Sequence, residues 1–249
     1  MDPLLGRGGG GPRAAGPARV GCRGRAWRCR SLRRVTDHPL EVELRFEADD
    51  EGPLDALAVA DRLGPAWLGP ASTVDETDRY LDTADLRLSA RRWACRLRTR
   101  QGRTLVSLKG PGEQQASDPF HRRREVEGPA TESLDPSHWP SSPARELLDT
   151  MRGGEPLEER FTLTQQRTER PVQLARRHTG LLSLDRTQIW RGGAQIGGLL
   201  SVELEVDPIA LERGADPTPL ARALSAHPGL RPDPASKLEH ALQLLGADR

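Results

Sequence analysis

Apolar and polar residues alternate along most of the chain after residue 39. Alternation with a period of two is typical of half-buried strands, because successive side chains of a strand point to opposite faces. The pattern predicts nine strands, at residues 40–47, 73–83, 92–100, 104–109, 120–127, 160–170, 172–177, 181–190 and 199–207. The sequence RQGRT at 100–104 predicts a hairpin turn, and GPG at 110–112 predicts the end of the strand that precedes it.

Four segments between or after the strands have the pattern of short helices. They are residues 53–63, 142–151, 216–226 and 233–246. Proline at the start, as at Pro143, and glycine at the end, as at Gly246, are typical helix boundaries. Residues 128–142 are interpreted as an internal loop. Many strands with few helices predict an α+β fold built on a large antiparallel sheet or a closed β-barrel.

One face of several predicted strands is charged, and like charges are grouped on it. Pairs of like charge two residues apart are Glu41/Glu43, Arg96/Arg98, Glu125/Glu127 and Glu203/Glu205. Such pairs repel each other, and a face that only confers solubility would mix the signs. The grouping favours ligand binding, with carboxylates for a hard divalent cation and cationic groups for an oxyanion.

The alternation leaves two orientations of the charged faces open. In an ordinary antiparallel barrel the apolar side chains fill the interior and the charged ones face water. In the inverted arrangement, the predicted helices cover an apolar outer surface and the charged side chains line the interior.

Composition narrows the class of protein. The chain has 249 residues with 35% hydrophobic and 29% charged content, which is typical of a globular protein. It has no apolar run approaching the roughly 20 residues of a membrane helix, so no membrane partner is expected. A net charge of +1 gives no reason to expect nucleic-acid binding by the folded domain. Cys22, Cys29 and Cys95 form neither a disulfide framework nor a zinc motif, so a cytoplasmic location is expected.

The first 37 residues differ from the rest. They contain nine arginines and are rich in glycine, proline and alanine. This composition predicts a disordered tail at residues 1–37, followed by one folded domain at 38–249. A transit peptide, a nucleic-acid-binding arm and a functionless extension all remain open as interpretations of the tail.

The order of short motifs resembles that of CYTH domains, also called triphosphate tunnel metalloenzymes. E-x-E-x-R at 41–45 is similar to the family's E-x-E-x-K signature, and CRLRTRQGRTLVSLKGP at 95–111 resembles its R-x-R hairpin ending in Lys-Gly. Further similar motifs are YLDTADLRL (80–88), RRREVE (122–127), QQRTER (165–170), LLSLDR (181–186), VELEV (202–206) and SKLEHAL (236–242). The resemblance implies an eight-stranded antiparallel closed β-barrel, or tunnel, with a charged lumen and flanking helices.

The resemblance also implies roles for individual residues. Carboxylates expected to hold Mg²⁺ or Mn²⁺ are Glu41, Glu43, Asp185, Glu203, Glu205 and Glu127. Residues expected to bind the substrate are Arg96, Arg98, Lys109, Arg123, Arg167 and Lys237, and those expected to act in catalysis are Arg45, Lys109, Glu125 and Lys237. Only two of the 37 basic residues are lysines, and both fall on these positions, which favours a need for a compact ammonium group there.

The activity implied is metal-dependent hydrolysis of a triphosphate, with inorganic tripolyphosphate favoured over nucleoside triphosphates or polyphosphate. Adenylate cyclase is one alternative, and thiamine triphosphatase is another, for which Trp93 is the nearest aromatic residue. A non-catalytic polyphosphate-binding module is a third, because Arg45 stands where the family signature has lysine and arginine does not transfer protons. The oligomeric state is left open.

Overall fold

The computed structural model describes residues 40–113 and 118–247 of the chain. Its strands are β1 (Leu40–Ala48), β2 (Arg62–Leu63), β3 (Ala66–Leu68), β4 (Ser72–Thr83), β5 (Ala94–Arg100), β6 (Arg103–Glu113), β7 (His121–Ala130), β8 (Leu157–Leu174), β9 (Arg177–Arg191), β10 (Ala194–Val206) and β11 (Leu230–Pro232). Its helices are α1 (Gly52–Val59), α2 (Arg87–Ala90), α3 (Pro143–Arg152), α4 (Pro208–Glu212), α5 (Thr218–Ser225) and α6 (Lys237–Ala247), with a 3₁₀ turn at Pro136–His138. The predicted tail lies outside the described residues.

Eight antiparallel strands close into a barrel. Their order around the ring is β4, β5, β6, β7, β1, β10, β9 and β8, and β8 pairs again with β4. The β2–β3 hairpin extends the sheet from β8, and β11 pairs with β1 outside the ring. The prediction of an α+β fold with an eight-stranded closed barrel and flanking helices is therefore confirmed.

Helices cover the outer surface of this barrel, as in the inverted arrangement. Val42 and Leu44 of β1 belong to one apolar cluster with Leu54 of α1 and Leu224 of α5. A second cluster joins strands β4, β5 and β6 to α2 and α3. Because these strands turn their apolar faces outward to the helices, their charged faces line the barrel interior.

A third apolar cluster lies at one end of the interior. The rings of Tyr80 and Phe161 stack with centroids 4.7 Å apart, and Leu163 and Ile189 lie beside them. Ala241 of α6 packs on this cluster. The helix α6 therefore lies across one end of the barrel. None of the described helices is both long enough and apolar enough to cross a membrane.

Two predicted strand boundaries were wrong because proline was read as a break. The predicted strand 160–170 and the first part of the strand predicted at 172–177 form one strand, β8, through Pro171, and a turn at residues 175–176 ends it. The partner of β8 changes here from β4 to β3, so the missing N–H of Pro171 falls between two ladders. The strand predicted to end before GPG continues to Glu113, because a bulge between Lys109 and Gly112 accommodates Pro111. The turn predicted at RQGRT is present, with positive φ at Gln101 and Gly102.

Helix boundaries differ where the chain pairs with strands. The helix predicted at 53–63 ends at Val59, because residues 62–63 form β2. The helix predicted to begin at 233 begins at Lys237, because the N–H of Asp233 donates to the carbonyl of Arg45 and holds the chain against β1. The short elements α2, α4, β2, β3 and β11 were not predicted, because each spans no more than about one and a half periods of the pattern used.

Candidate active site in the barrel interior

Cross-strand pairing places opposite charges side by side in the interior. Direct partners in the ladders are Glu41 with Arg123, Lys109 with Glu125, Asp78 with Arg98, Arg167 with Asp185, and Arg45 with Glu203. One pair of opposite residues has like charges, since Glu43 on β1 lies directly opposite Glu205 on β10. Two carboxylates at this spacing repel each other unless a cation lies between or beside them. All fourteen residues named as candidates from the sequence lie on strand faces or a helix end that border the interior.

Lys109 and Arg123 bind the two acids of β1. Lys109 Nζ lies 2.8 Å from Glu41 Oε1, and Arg123 donates to Glu41 Oε2 at 2.7 Å and to Glu43 Oε1 at 2.8 Å. Burial would raise the pKa of Glu41, but the charges of Lys109 and Arg123 outweigh it and hold the pKa well below its usual range. Burial and the charge of Glu41 raise the pKa of Glu43. Glu43 is therefore the buried acid of this pair that retains a proton more readily.

A second cluster joins β8, β9 and β10 to the start of α6. Arg167 binds Asp185 through two hydrogen bonds, of 2.8 and 2.7 Å, and lies 3.0 Å from Glu203. Lys237 Nζ contacts the same two acids at 2.8 and 2.6 Å. Burial opposes ionisation of both acids, but the charges of Arg167 and Lys237 lower the pKa of Asp185 and of Glu203. Asp185 and Glu203 therefore stay ionised, and they hold the cationic side chains of Arg167 and Lys237 inside the barrel.

A third cluster contains acids that sequence reasoning missed. Asp78 on β4 accepts two hydrogen bonds of 2.7 Å from Arg98, and Glu76 contacts Arg98 at 3.3 Å and Arg100 at 3.0 Å. Burial would raise the pKa of Asp78, but Arg98 and Arg96 hold it well below the usual range. The same two-residue spacing of like charges was present in Glu76 and Asp78. This spacing did not predict an interior face, because neither face of β4 is consistently apolar and the charged face therefore has no apolar face opposite it.

Arg96 is less completely paired than its neighbours. Its Nη atoms lie 3.4 Å from Asp78 and 3.7 Å from Glu125, and its buried Nε has no hydrogen-bond partner among the described residues. Glu125 accepts a hydrogen bond from Ser107 and lies 3.3 Å from Lys109 Nζ. Glu127, two residues further along the same strand face, is exposed to solvent. Arg96 thus retains an unused donor in the interior.

Arg45 is held by two neutral acceptors. Its Nη2 donates to Nδ1 of His121 at 2.6 Å and to the carbonyl of Pro234 at 2.9 Å. Its Nε lies 3.7 Å from Glu43 Oε1 and is buried, without a hydrogen-bond partner in the part of the chain that the structure describes. The contacts with His121 and Pro234 were not predicted, since these residues are 76 and 189 positions away in the sequence.

A cavity of about 640 Å³ lies beside the charged interior. Tyr80, Phe161, Trp93 and Leu238 contribute to its walls, and so does Ala94. Tyr80 and Ala94 are the ladder partners of Arg96 and Lys109 respectively. The cavity therefore adjoins the cationic residues, and Trp93, the aromatic residue singled out from the sequence, lies in its wall.

The interior acids suit a hard divalent cation by chemistry and by register. Carboxylate oxygens are the ligands that Mg²⁺ and Mn²⁺ prefer, and Glu43 opposite Glu205 provides two of them in register. Within residues 40–113 and 118–247, no three histidine, cysteine or acidic side chains converge closely enough to form a ligand set. Glu41, Glu43 and Glu203 are instead engaged by Arg123, Lys109 and Lys237. Metal binding would require some of these ion pairs to open.

The closed eight-stranded barrel with a charged interior defines a tunnel-type fold. The family model of the CYTH domain matches residues 39–241, so the chain belongs to the CYTH domain family. The resemblance stated from the motifs is thereby confirmed. Comparison with curated protein sequences gives no match.

Solved structures with a similar fold include the following two. One is a Hippeastrum protein described as a candidate adenylyl cyclase with a dominant triphosphatase activity; the TM-score is 0.55, the identity 20%, and the match covers 82% of this chain and 95% of that one. The other is a Bacillus halodurans protein described as a candidate adenylate cyclase; the TM-score is 0.53, the identity 17%, and the match covers 81% of this chain and 98% of that one. At this identity the similarity establishes the fold alone.

Proposed function

We propose that this protein hydrolyses a triphosphate inside its barrel and that inorganic tripolyphosphate is the substrate. The observation that carries the proposal is the pair of buried guanidinium Nε atoms, in Arg45 and Arg96, that have no hydrogen-bond partner within residues 40–113 and 118–247. An unsatisfied buried donor is costly, and an oxyanion is the ligand that best satisfies a charged one. Both donors lie in an enclosed interior that also holds Lys109, Arg123, Arg167 and Lys237.

Substrate binding would exchange one set of ion pairs for another. Phosphate oxygens would replace carboxylates as partners of the cationic side chains, starting with Arg96, whose carboxylate contacts are long, at 3.4 and 3.7 Å. The released acids Glu41, Glu43, Glu203 and Glu205, with Asp185 and Glu127 as further candidates, would then hold Mg²⁺ or Mn²⁺. When bound, such a cation neutralises charge on the phosphate chain and polarises a phosphorus–oxygen bond.

The chain's own residues would position the phosphates and accept a proton. Lys109 and Lys237 carry compact ammonium groups on opposite sides of the acids of β1 and β10, which suits them to hold successive phosphates in line. Glu125, which lies between Lys109 and Arg96, is the proposed acceptor of the proton from the attacking water, at a carboxylate oxygen. Arg45 would supply positive charge without proton transfer.

A phosphate-release assay tests the proposal. The full chain is incubated with tripolyphosphate, ATP, thiamine triphosphate or long polyphosphate, each with Mg²⁺ or Mn²⁺. We expect phosphate release to be fastest from tripolyphosphate. Faster release from ATP or thiamine triphosphate would point to use of the cavity beside Trp93 by an organic group. Cyclic AMP with pyrophosphate would identify a cyclase, and binding of tripolyphosphate without release would identify a binding module; both outcomes contradict the proposal.

Neighbouring arginines on β7 provide a matched control. Arg123 faces the interior acids, whereas Arg124 is exposed on the opposite strand face. We expect Arg123→Ala to lower kcat/KM for tripolyphosphate by about a hundredfold, because a charge-assisted contact to phosphate is lost. Arg124→Ala should stay within about twofold of the wild type. Equal effects of the two substitutions would argue against a site in the interior.

A further inference from the structure

Arg45 differs from the cations around it in the groups that hold it. Lys109, Arg123 and Lys237 each have a carboxylate oxygen within 2.8 Å. Arg45 Nη2 instead donates to the imidazole of His121 and to the carbonyl of Pro234, and its Nε lies 3.7 Å from Glu43. The side chain is only 10% exposed. A buried positive charge is therefore held in place with little direct neutralisation.

The geometry determines the protonation of His121. A guanidinium group only donates hydrogen bonds, so Nδ1 of His121 must accept, and the ring proton must be on Nε2. Burial and the neighbouring charges of Arg45 and Arg123 lower the pKa of His121 to about 4, which agrees with a neutral ring. Asp233 and Glu239 act in the opposite direction but do not offset this effect. At neutral pH the imidazole is thus a stable acceptor for Arg45.

The backbone fixes both partners of this contact. His121 lies directly opposite Glu43 in the β1–β7 ladder. Glu43 is two residues from Arg45 on the same face of β1. On the other side, the N–H of Asp233 donates to the carbonyl of Arg45 at 2.9 Å, which holds Pro234 within reach of Nη2. The guanidinium is therefore clamped between β7 and the segment that precedes α6.

We propose that His121 is a positioning residue that holds the Arg45 guanidinium with its free Nε–H available to a phosphate oxygen of the substrate. This inference rests on the proposed triphosphatase function. Arginine has a longer, forked head than lysine, so it needs acceptors at fixed positions to keep one donor directed at the substrate. A lysine at this position would need no such partner, since its three donors rotate around one nitrogen.

Calorimetric titration of inorganic tripolyphosphate into the full chain, with kcat and KM measured in parallel, tests the positioning role. His121→Ala should weaken tripolyphosphate binding about tenfold, whereas His121→Asn, which keeps an acceptor near the Nδ1 position, should remain within about threefold of the wild type. In the Arg45→Lys background, His121→Ala should change binding by less than about twofold. His178→Ala, on the exposed part of β9, is the control and should have no effect.

Two results would overturn the inference. One is unchanged binding in His121→Ala, and the other is an equal loss in the Arg45 and Arg45→Lys backgrounds, since an equal loss indicates a general structural role. Nitrogen-15 NMR of the His121 ring separates this failure from failure of the proposed function. An unprotonated Nδ1 in a wild type that neither binds nor hydrolyses tripolyphosphate would refute the proposed function and, with it, the positioning role. A protonated Nδ1 in a wild type that does bind it would refute the positioning role alone.

Discussion

Asp78 shows at the level of one residue how the charged interior is stabilised. It is fully buried and accepts two hydrogen bonds from Arg98 while Arg96 lies 3.4 Å away. Buried ion pairs contribute little net stability compared with apolar packing, but removal of one partner leaves the other charge unpaired. Asp78 therefore helps to keep two arginines inside the barrel, with Glu76 and Glu125 as their further acidic partners.

Asp78→Asn should destabilise the protein in a pH-dependent way. Despite its burial, Arg98 and Arg96 hold the pKa of Asp78 below its usual 3.8, so its contribution is present above that pH and is lost as the pH falls below it. At pH 7 the variant should lose about 3 kcal/mol of unfolding free energy, and the difference from the wild type should narrow below pH 4.

Urea unfolding between pH 3 and pH 7 measures this effect. Asp75→Asn, an exposed residue of the same strand, is the control and should change stability by no more than about 0.5 kcal/mol. A constant difference between Asp78→Asn and the wild type across this range would contradict the assigned role.

The attachment of α1 to the barrel depends on another arginine. Arg170 of β8 is buried and donates to five backbone carbonyls, those of Leu57, Ala58, Ala60, Leu68 and Gly69. Three of these belong to the last turn of α1 and its C-cap, where helix carbonyls lack intrahelical partners and a positive charge is favourable. The Arg170 side chain thus joins the end of α1 and the end of β3 to strand β8.

Arg170→Ala should lower the unfolding free energy by about 3 kcal/mol, because several buried carbonyls lose their donor. Arg186 provides a matched control, since it contacts Glu51 and Asp55 at the same helix, but on the surface. Arg186→Ala should cost no more than about 1 kcal/mol. Urea unfolding at pH 7 compares the two, and a smaller loss for Arg170→Ala than for Arg186→Ala would contradict this account.

The charge pattern predicted which residues lie in the site better than it predicted their contacts with one another. The pairs Glu41/Glu43 and Glu203/Glu205 could be found because each stands opposite an apolar face, and the motif order then indicated a barrel with these faces inside. Glu76 and Asp78 escaped notice because β4 is polar on both faces. The environments of Arg45 and Arg170 depend on residues distant in sequence, and no local pattern records such contacts.

For the whole molecule, the inverted barrel explains how so many charges are kept in an enclosed space. Helices α1, α3 and α5 supply the apolar burial on the outside, so the interior is free to hold acids and bases in mutual contact. Under the proposed function, these ion pairs would exchange with a charged ligand. The central claim is that tripolyphosphate is this ligand.

A crystal structure of the full chain with tripolyphosphate tests that claim most directly. We expect the phosphate chain to lie inside the barrel, with phosphate oxygens within about 3 Å of the Nε atoms of Arg45 and Arg96. At least one carboxylate contact of Arg96 should be replaced by phosphate. Tripolyphosphate bound only on the outer surface, with the interior ion pairs unchanged, would contradict the account.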